Sequence, residues 1–143
     1  MKCILADDNR VNQIVGSQIL KNLGHTVTVA SNGQEVAEEA AVKRYDIIFM
    51  DCQMPVMNGF EATKAIRNLP REHANFNIPI IALTGHESLF NFTECILCGM
   101  NSRLSKPLIL DELTELLNKL SPQIQQRRQK YAQTQGLSES VMS

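Results

Sequence analysis

Asp7 and Asp8 follow the apolar run Cys3 to Ala6, and Asp51 follows Ile47-Ile48-Phe49-Met50 ahead of a loop containing Pro55. Thr84 follows Ile80 to Leu83, and Lys106 follows Arg103 to Ser105. Three carboxylates within a few ångströms of one another repel strongly unless a cation joins them. A hard divalent ion that takes carboxylate, carbonyl and water oxygens relieves that repulsion, and Mg²⁺ is the abundant candidate. Asp51 then becomes a nucleophile. A carboxylate can attack phosphorus to give an aspartyl phosphate, with the metal and a lysine offsetting charge on the equatorial oxygens and a hydroxyl such as that of Thr84 holding one of them. Gly85, beside Thr84, leaves room for a phosphoryl group and offers it a backbone N–H. A helix cap accounts for Asp8 or Asn9 at most, and not for Asp51 or for a lysine at a matching position.

These residues converge only if the runs before them are parallel strands of one sheet. Short apolar runs alternate with amphipathic stretches throughout, the pattern of repeated β-α units. The expected strands are Cys3 to Ala6, Thr26 to Ala30, Asp46 to Met50, Ile80 to Leu83 and Arg103 to Ser105. A first helix is expected over Asn12 to Leu23, where Val11, Ile14, Val15, Ile19 and Leu23 recur at helical spacing before Gly24. The second opens with Asn32 and Glu35 at capping-box spacing and buries Val36, Ala37, Ala40 and Ala41. The third spans Gly59 to Asn68, the fourth Glu87 to Cys98, and the fifth Leu110 to Leu120. With short right-handed connections this order gives an α/β, three-layer, doubly wound parallel sheet whose ligand crevice lies at the carboxyl ends of the strands.

Composition narrows the function classes. The 143 residues, 43% hydrophobic, suit one core and are too few for two ordinary domains. A net charge of −1 gives no uniformly basic surface for nucleic acid or membrane. No apolar run approaches a membrane span or a secretory leader, so the expected location is the cytoplasm, or the cytoplasmic side of a membrane within a longer sensor. Cys3, Cys52, Cys95 and Cys98 are expected as free thiols, since no second ligand pair completes a zinc site. The expected domain is 1–120. Segment 121–143, rich in Gln and Ser with Arg127, Arg128 and Lys130, is expected as a linker or frayed helix extension, too short for an output domain.

At Asp7-Asp8-Asn9, Asp51 with Met54-Pro55 and Asn58-Gly59, Ala82-Leu83-Thr84 and Leu104-Ser105-Lys106-Pro107, the sequence strongly resembles the receiver domains of two-component response regulators. The match covers Met1 to about Leu120. Asp8-Asn9-Arg10-Val11-Asn12-Gln13, Asn32-Gly33-Gln34-Glu35 and the stretch Met54 to Thr63 look most like receivers attached to hybrid sensor histidine kinases. The resemblance implies a flavodoxin-like (βα)5 fold with strand order 2-1-3-4-5. It implies phosphoryl transfer to Asp51 from a phosphohistidine on a histidine kinase or histidine phosphotransfer protein. Mg²⁺ would be held by Asp8, Asp51 and the Gln53 carbonyl, and by Asp7 largely through water. Lys106 would contact the phosphoryl group, Thr84 would move toward it as the switch, and the bond to Pro107 is expected to be cis. The chain carries no kinase domain of its own.

Two features depart from the family's pattern. Arg103 stands three residues before the lysine, where receivers commonly carry Tyr or Phe; it is either a solvated edge-strand residue or a cation paired with an acidic partner or the fourth helix. Asn101 replaces a frequent aspartate and reads as a turn variant of little chemical consequence. Leu89, Phe90, Phe92, Ile96 and Leu97 give the fourth helix more apolar surface than one core-facing stripe needs. Phe90 or Leu97 is therefore expected in a contact with a partner or with a second copy in a homodimer. His86 reads either as a solvated loop residue or as a group near an attacking water. The rivals are an aspartate-nucleophile phosphatase, which lacks its second acid because Gln53 stands there, a receiver-like binding module that signals without phosphorylation, and a flavodoxin-like nucleotide binder, disfavoured because Asp7-Asp8-Asn9-Arg10 offers no glycine-rich loop.

Overall fold

A computed structural model describes the backbone of residues 1–85 and 92–142, with side chains over 1–85 and 93–130. Five strands, β1 (Lys2–Ala6), β2 (Thr26–Ala30), β3 (Ile47–Asp51), β4 (Ile80–Thr84) and β5 (Ser102–Ser105), alternate with five helices: α1 (Arg10–Asn22), α2 (Gly33–Val42), α3 (Gly59–Arg67), α4 (Phe92–Cys98) and α5 (Leu110–Met142). The strands form one parallel sheet in the order β2-β1-β3-β4-β5, the α/β arrangement expected from the alternating pattern.

Period-two alternation splits the strands between two cores. Ile4, Ala6, Ile48, Met50, Ile80 and Ala82 face Val36 and Ala40 of α2, Ala62 and Ile66 of α3, and Cys95 of α4. Cys3, Leu5, Ile47, Phe49, Ile81 and Leu83 face the opposite way, onto Leu20 of α1 and Leu113 and Ile124 of α5. Burial on both faces is why these strands read as unbroken apolar runs. Each fully buried Ile or Leu contributes about 1.5–3 kcal/mol, so the carboxyl ends of the central strands rest on a stiff support.

Asparagine opens three helices. Asn9 Oδ1 accepts from Asn12 N at 3.1 Å, Asn32 Oδ1 from Glu35 N at 2.9 Å, and Asn58 Oδ1 from Glu61 N at 2.9 Å. Asn58 and Glu61 form a reciprocal capping box, whereas Glu35 turns its carboxylate to Ser31 N at 2.8 Å.

Three expectations are corrected. On α1 most of the apolar stripe lies outside the core: Gly16, Ser17 and Leu20 are buried and Ile19 packs half-buried beside them, while Val11 is 66% and Ile14 60% exposed, with Val15 and Leu23 also exposed. A Cβ on Gly16 would lie 2.8 Å from Leu5 Cδ2, so close approach of small residues, not apolarity, decides which face turns inward. On α2, Ala41 is exposed rather than buried. The fifth helix does not stop at Leu120 but runs through Pro122 to Met142, with Ile124 and Arg127 buried against the body.

The seven residues from Cys52 to Asn58, joining β3 to α3, are pinned at both ends. Gly59 N donates to Cys52 O at 3.1 Å and Gly33 N to Met57 O at 2.8 Å, and a Cβ on Gly33 would lie 2.4 Å from that oxygen. Between these pins Met57 N donates to Pro55 O at 2.7 Å across Val56, whose φ is +68°. This is a γ-turn with a β-branched residue in the left-handed region, a conformation costing about 1–3 kcal/mol. Among the described residues no helix is long and apolar enough to cross a membrane.

Candidate functional site

The parallel register delivers Asp7, Asp51, Thr84 and Lys106 to one edge. Ala6 pairs with Met50, Asp51 with Leu83, and Thr84 with Ser105, so the residues at or just past these strand ends meet there. Asp7, Asp8 and Asp51 each offer a carboxylate oxygen, and these lie within 4.8 Å of one another. Asp7 and Asp51 are buried and Asp8 is exposed, which leaves the cluster open to solvent on one side.

Asp51 Oδ2 accepts from Lys106 Nζ at 3.0 Å, and Oδ1 accepts from Gln53 N at 3.1 Å. Its side chain is only 3% exposed. Burial pushes the Asp51 carboxyl above its ordinary range; the hydrogen bonds from Gln53 and Lys106 and the lysine's charge oppose this, and Asp7 adds to it. Burial also pulls the Lys106 ammonium down, but the hydrogen bond and charge of Asp51, with Asp7 and Asp8 behind it, outweigh that and leave it above its usual value. Among the described residues one ammonium thus faces three acids. The set is all hard oxygen, gathered on an incompletely neutralised cleft floor, and it fits a hard divalent cation and not a soft one.

The remaining members are held by backbone contacts. Asp7 Oδ1 accepts from Asn9 N at 2.8 Å, and Gln13 Nε2 donates to Asp7 O at 2.6 Å, fixing the turn from β1 into α1. Lys106 N donates to Thr84 O at 2.8 Å, and Thr84 Oγ1 donates to Leu104 O at 3.5 Å, a weak bond that leaves the hydroxyl easy to redirect. Among the described residues a Cβ on Gly85 would meet nothing nearer than Lys106 Cε at 4.0 Å, so none of them fills the space beside the lysine stem. The Lys106–Pro107 bond is cis.

Arg103 and Leu97 stand apart from this cluster. Arg103 is exposed on β5 in register with Ala82, and with Glu112, Glu115 and Lys119 of α5 it lines a shallow cavity of about 270 Å³. Leu97 on α4 is 82% exposed. Phe90, with His86 and Leu89, lies outside the described residues, as does the side chain of Phe92.

Two features were not read from the sequence. Asn101 is more than a turn variant: its Oδ1 accepts from Ile80 N at 2.9 Å and from Arg67 Nη2 at 3.0 Å, and Arg67 also donates to Gly99 O and Phe76 O, tying the entry of β4 to that of β5. An exposed apolar surface on α1 adjoins the site, where Val15 lines one crevice with Asp7, Asn12, Lys106, Pro107 and Leu108. The helical spacing of Val11, Ile14, Val15 and Leu23 was the available signal.

An α/β sheet of this order with an acid cluster and a lysine at its carboxyl edge defines a class, and comparison with known proteins identifies it. Residues 3–118 match the family model described as "Response regulator receiver domain". The chain belongs to that family and is a receiver domain of the two-component phosphorelay type. It is 39% identical over 119 residues to hybrid signal transduction histidine kinase A of Dictyostelium discoideum, a match covering 82% of this chain and 6% of that protein's length. Among solved structures it is similar to the receiver domain of the sensor histidine kinase PA1611 from Pseudomonas aeruginosa PAO1, which has a magnesium ion coordinated in its active site cleft (TM-score 0.73, 38% identity, covering 82% of this chain and 94% of that one). It is also similar to the receiver domain of Saccharomyces cerevisiae Ssk1, solved with the histidine phosphotransfer protein Ypd1 (TM-score 0.70, 30% identity, 80% and 83% coverage).

Proposed function

We propose that this receiver domain takes a phosphoryl group from a phosphohistidine onto Asp51. The observation that carries the reading is the clustering of three carboxylates at the ammonium of Lys106, 3.0 Å from Asp51 Oδ2. An Asp51 oxygen attacks phosphorus, the P–N bond to the donor imidazole breaks, and its electron pair returns to the ring nitrogen. Lys106 shifts from the carboxylate to the phosphoryl oxygens, which carry the charge once the Asp51 oxygen is bonded to phosphorus as an acyl phosphate. Thr84 gives up its long bond to Leu104 O and donates to a second phosphoryl oxygen.

Asp8, Asp51 and the Gln53 carbonyl, with Asp7 through water, would hold Mg²⁺. The ion would supply positive charge against the phosphoryl oxygens and relieve the repulsion among the acids. The phosphohistidine donor, a histidine kinase domain or histidine phosphotransfer protein, must cover the cleft to reach Asp51. The exposed Val11, Ile14 and Val15 beside that cleft supply an apolar surface for it. The phosphorylated state is read at the face of α4, β5 and the start of α5, where Leu97 and Arg103 are exposed and where movement of Thr84 and Lys106 is transmitted along the chain.

The test is incubation with acetyl phosphate and Mg²⁺ followed by intact mass measurement. Wild type gains one phosphoryl group, lost in alkali. Asp51→Asn gains none, and Asp8→Ala gains none above the level seen in EDTA. Equal labelling of Asp51→Asn would remove the proposal.

A further inference from the structure

We propose that Val56 is a specificity-determining residue for this phosphotransfer. Its isopropyl group, held out of the β3–α3 loop by the γ-turn, packs against the phosphohistidine-bearing protein that closes over Asp51. The inference rests on the reading of Asp51 given above.

Val56 is 76% exposed, so the interior gains little from its side chain. Its φ of +68° is one that glycine adopts freely and asparagine tolerates, whereas a β-branched residue is strained there. Within the chain, then, valine is a poor choice at this position, and its apolar side chain finds use only against something outside it. The surrounding loop is built to hold that side chain still. Met57 O is fixed by Gly33 N, where a Cβ would approach to 2.4 Å, Gly59 N is fixed to Cys52 O, and Asn58 is locked in its capping box. A contact group that is already immobile loses little entropy on binding.

The occupant follows from the chemistry of transfer. Asp51 lies on the cleft floor with its side chain 3% exposed. A protein donor must bring its imidazole down to that oxygen, and its surface then covers the loops at the carboxyl edge, including the one that Asp51 itself opens. A small phosphodonor enters without covering that loop. The two kinds of donor therefore separate recognition by Val56 from chemistry at Asp51.

The experiment compares wild type with Val56→Gly, Val56→Asn and Val56→Ile, using phosphorylated Ypd1 and acetyl phosphate as the two donors. With Ypd1, the Gly and Asn variants are expected to lose about tenfold in kcat/KM, carried by KM, the size of one lost apolar side-chain contact. Val56→Ile is expected to stay within about twofold of wild type. Acetyl phosphate should label all four at one rate, and the unfolding midpoint of Val56→Gly should match or exceed that of wild type. Undiminished transfer from Ypd1 to Val56→Gly, or a parallel loss with both donors, would overturn the inference while leaving Asp51 in place. So would a wild-type protein that acetyl phosphate labels and Ypd1 does not. Wild type refusing acetyl phosphate altogether would instead remove the underlying reading.

Discussion

Strand β3 has a buried aspartate at each end, and the two are treated in opposite ways. Asp46, just before the strand, accepts from Lys2 N at 2.8 Å and lies 3.3 Å from Arg44 Nη2 and 3.9 Å from Arg128 Nε. Beside it the buried Arg127 guanidinium donates to Asn77 Oδ1, Tyr45 O, Asp46 O and Ala74 O at 2.7–3.4 Å. Burial, with Arg44 nearby, pulls that guanidinium down to about 10, yet it stays charged at neutral pH. Asp51, at the other end, shares one lysine with two further acids. Cations outnumber the acid at the first end and acids outnumber the cation at the second. A buried charge that is matched holds the fold together, while one left short of countercharge is poised to take up a cation and an electrophile.

The largest expected effect sharpens the functional end: Asp8→Ala should lose at least about 90% of the Mg²⁺-dependent labelling of Asp51 and keep its far-ultraviolet circular dichroism, because Asp8 is exposed and supports no core contact. Next, Arg127→Ala should lower the unfolding free energy by about 2–3 kcal/mol through orphaned carbonyls, measured by urea denaturation, with acetyl phosphate labelling unchanged. Labelling lost in proportion to stability would mean that the two ends are not separable. Saturating Mg²⁺, at about a hundred times its dissociation constant, should raise the stability of wild type by about 2.7 kcal/mol and leave Asp8→Ala unmoved.

The smallest effect is the most diagnostic. In EDTA, Asp51→Asn should stabilise the protein by roughly 1 kcal/mol at pH 7, whereas Asp46→Asn should destabilise it. Because the native state raises the Asp51 carboxyl, it holds that proton more tightly than the unfolded chain does. The contribution of Asp51 to stability therefore falls as pH rises from the ordinary aspartate value through the raised native one. The advantage of Asp51→Asn should shrink toward pH 4, and an advantage that grows on acidification would reverse the sign of this account.

Much of the functional end was legible because strand ends are legible. An apolar run followed at once by Asp or Thr places that side chain at a sheet edge, and three such runs placed Asp7, with Asp8 beside it, Asp51 and Thr84 there, while Lys106 follows the short strand Arg103 to Ser105 at a matching position. The opposite end was not, because its logic runs against the usual habits of its residues. Arginine is mostly exposed, so Arg127 in a Gln-rich stretch reads as solvated, and nothing in its neighbours announces four acceptors contributed by Tyr45, Asp46, Ala74 and Asn77. The exposure of most of the α1 stripe was illegible for another reason: helical spacing reveals a face but not which way it turns, and Gly16 wins the inside by allowing close approach to Leu5. The left-handed turn at Val56 carries no sequence signal, since valine is a residue that disfavours it.

Site mapping tests the central claim most directly. After labelling with acetyl phosphate and Mg²⁺, borohydride reduction converts an aspartyl phosphate to homoserine, and tandem mass spectrometry reads which aspartate has changed. The contrast between the two ends of β3 predicts homoserine at position 51 alone; homoserine at Asp7, Asp8 or Asp46 with Asp51 intact would contradict it.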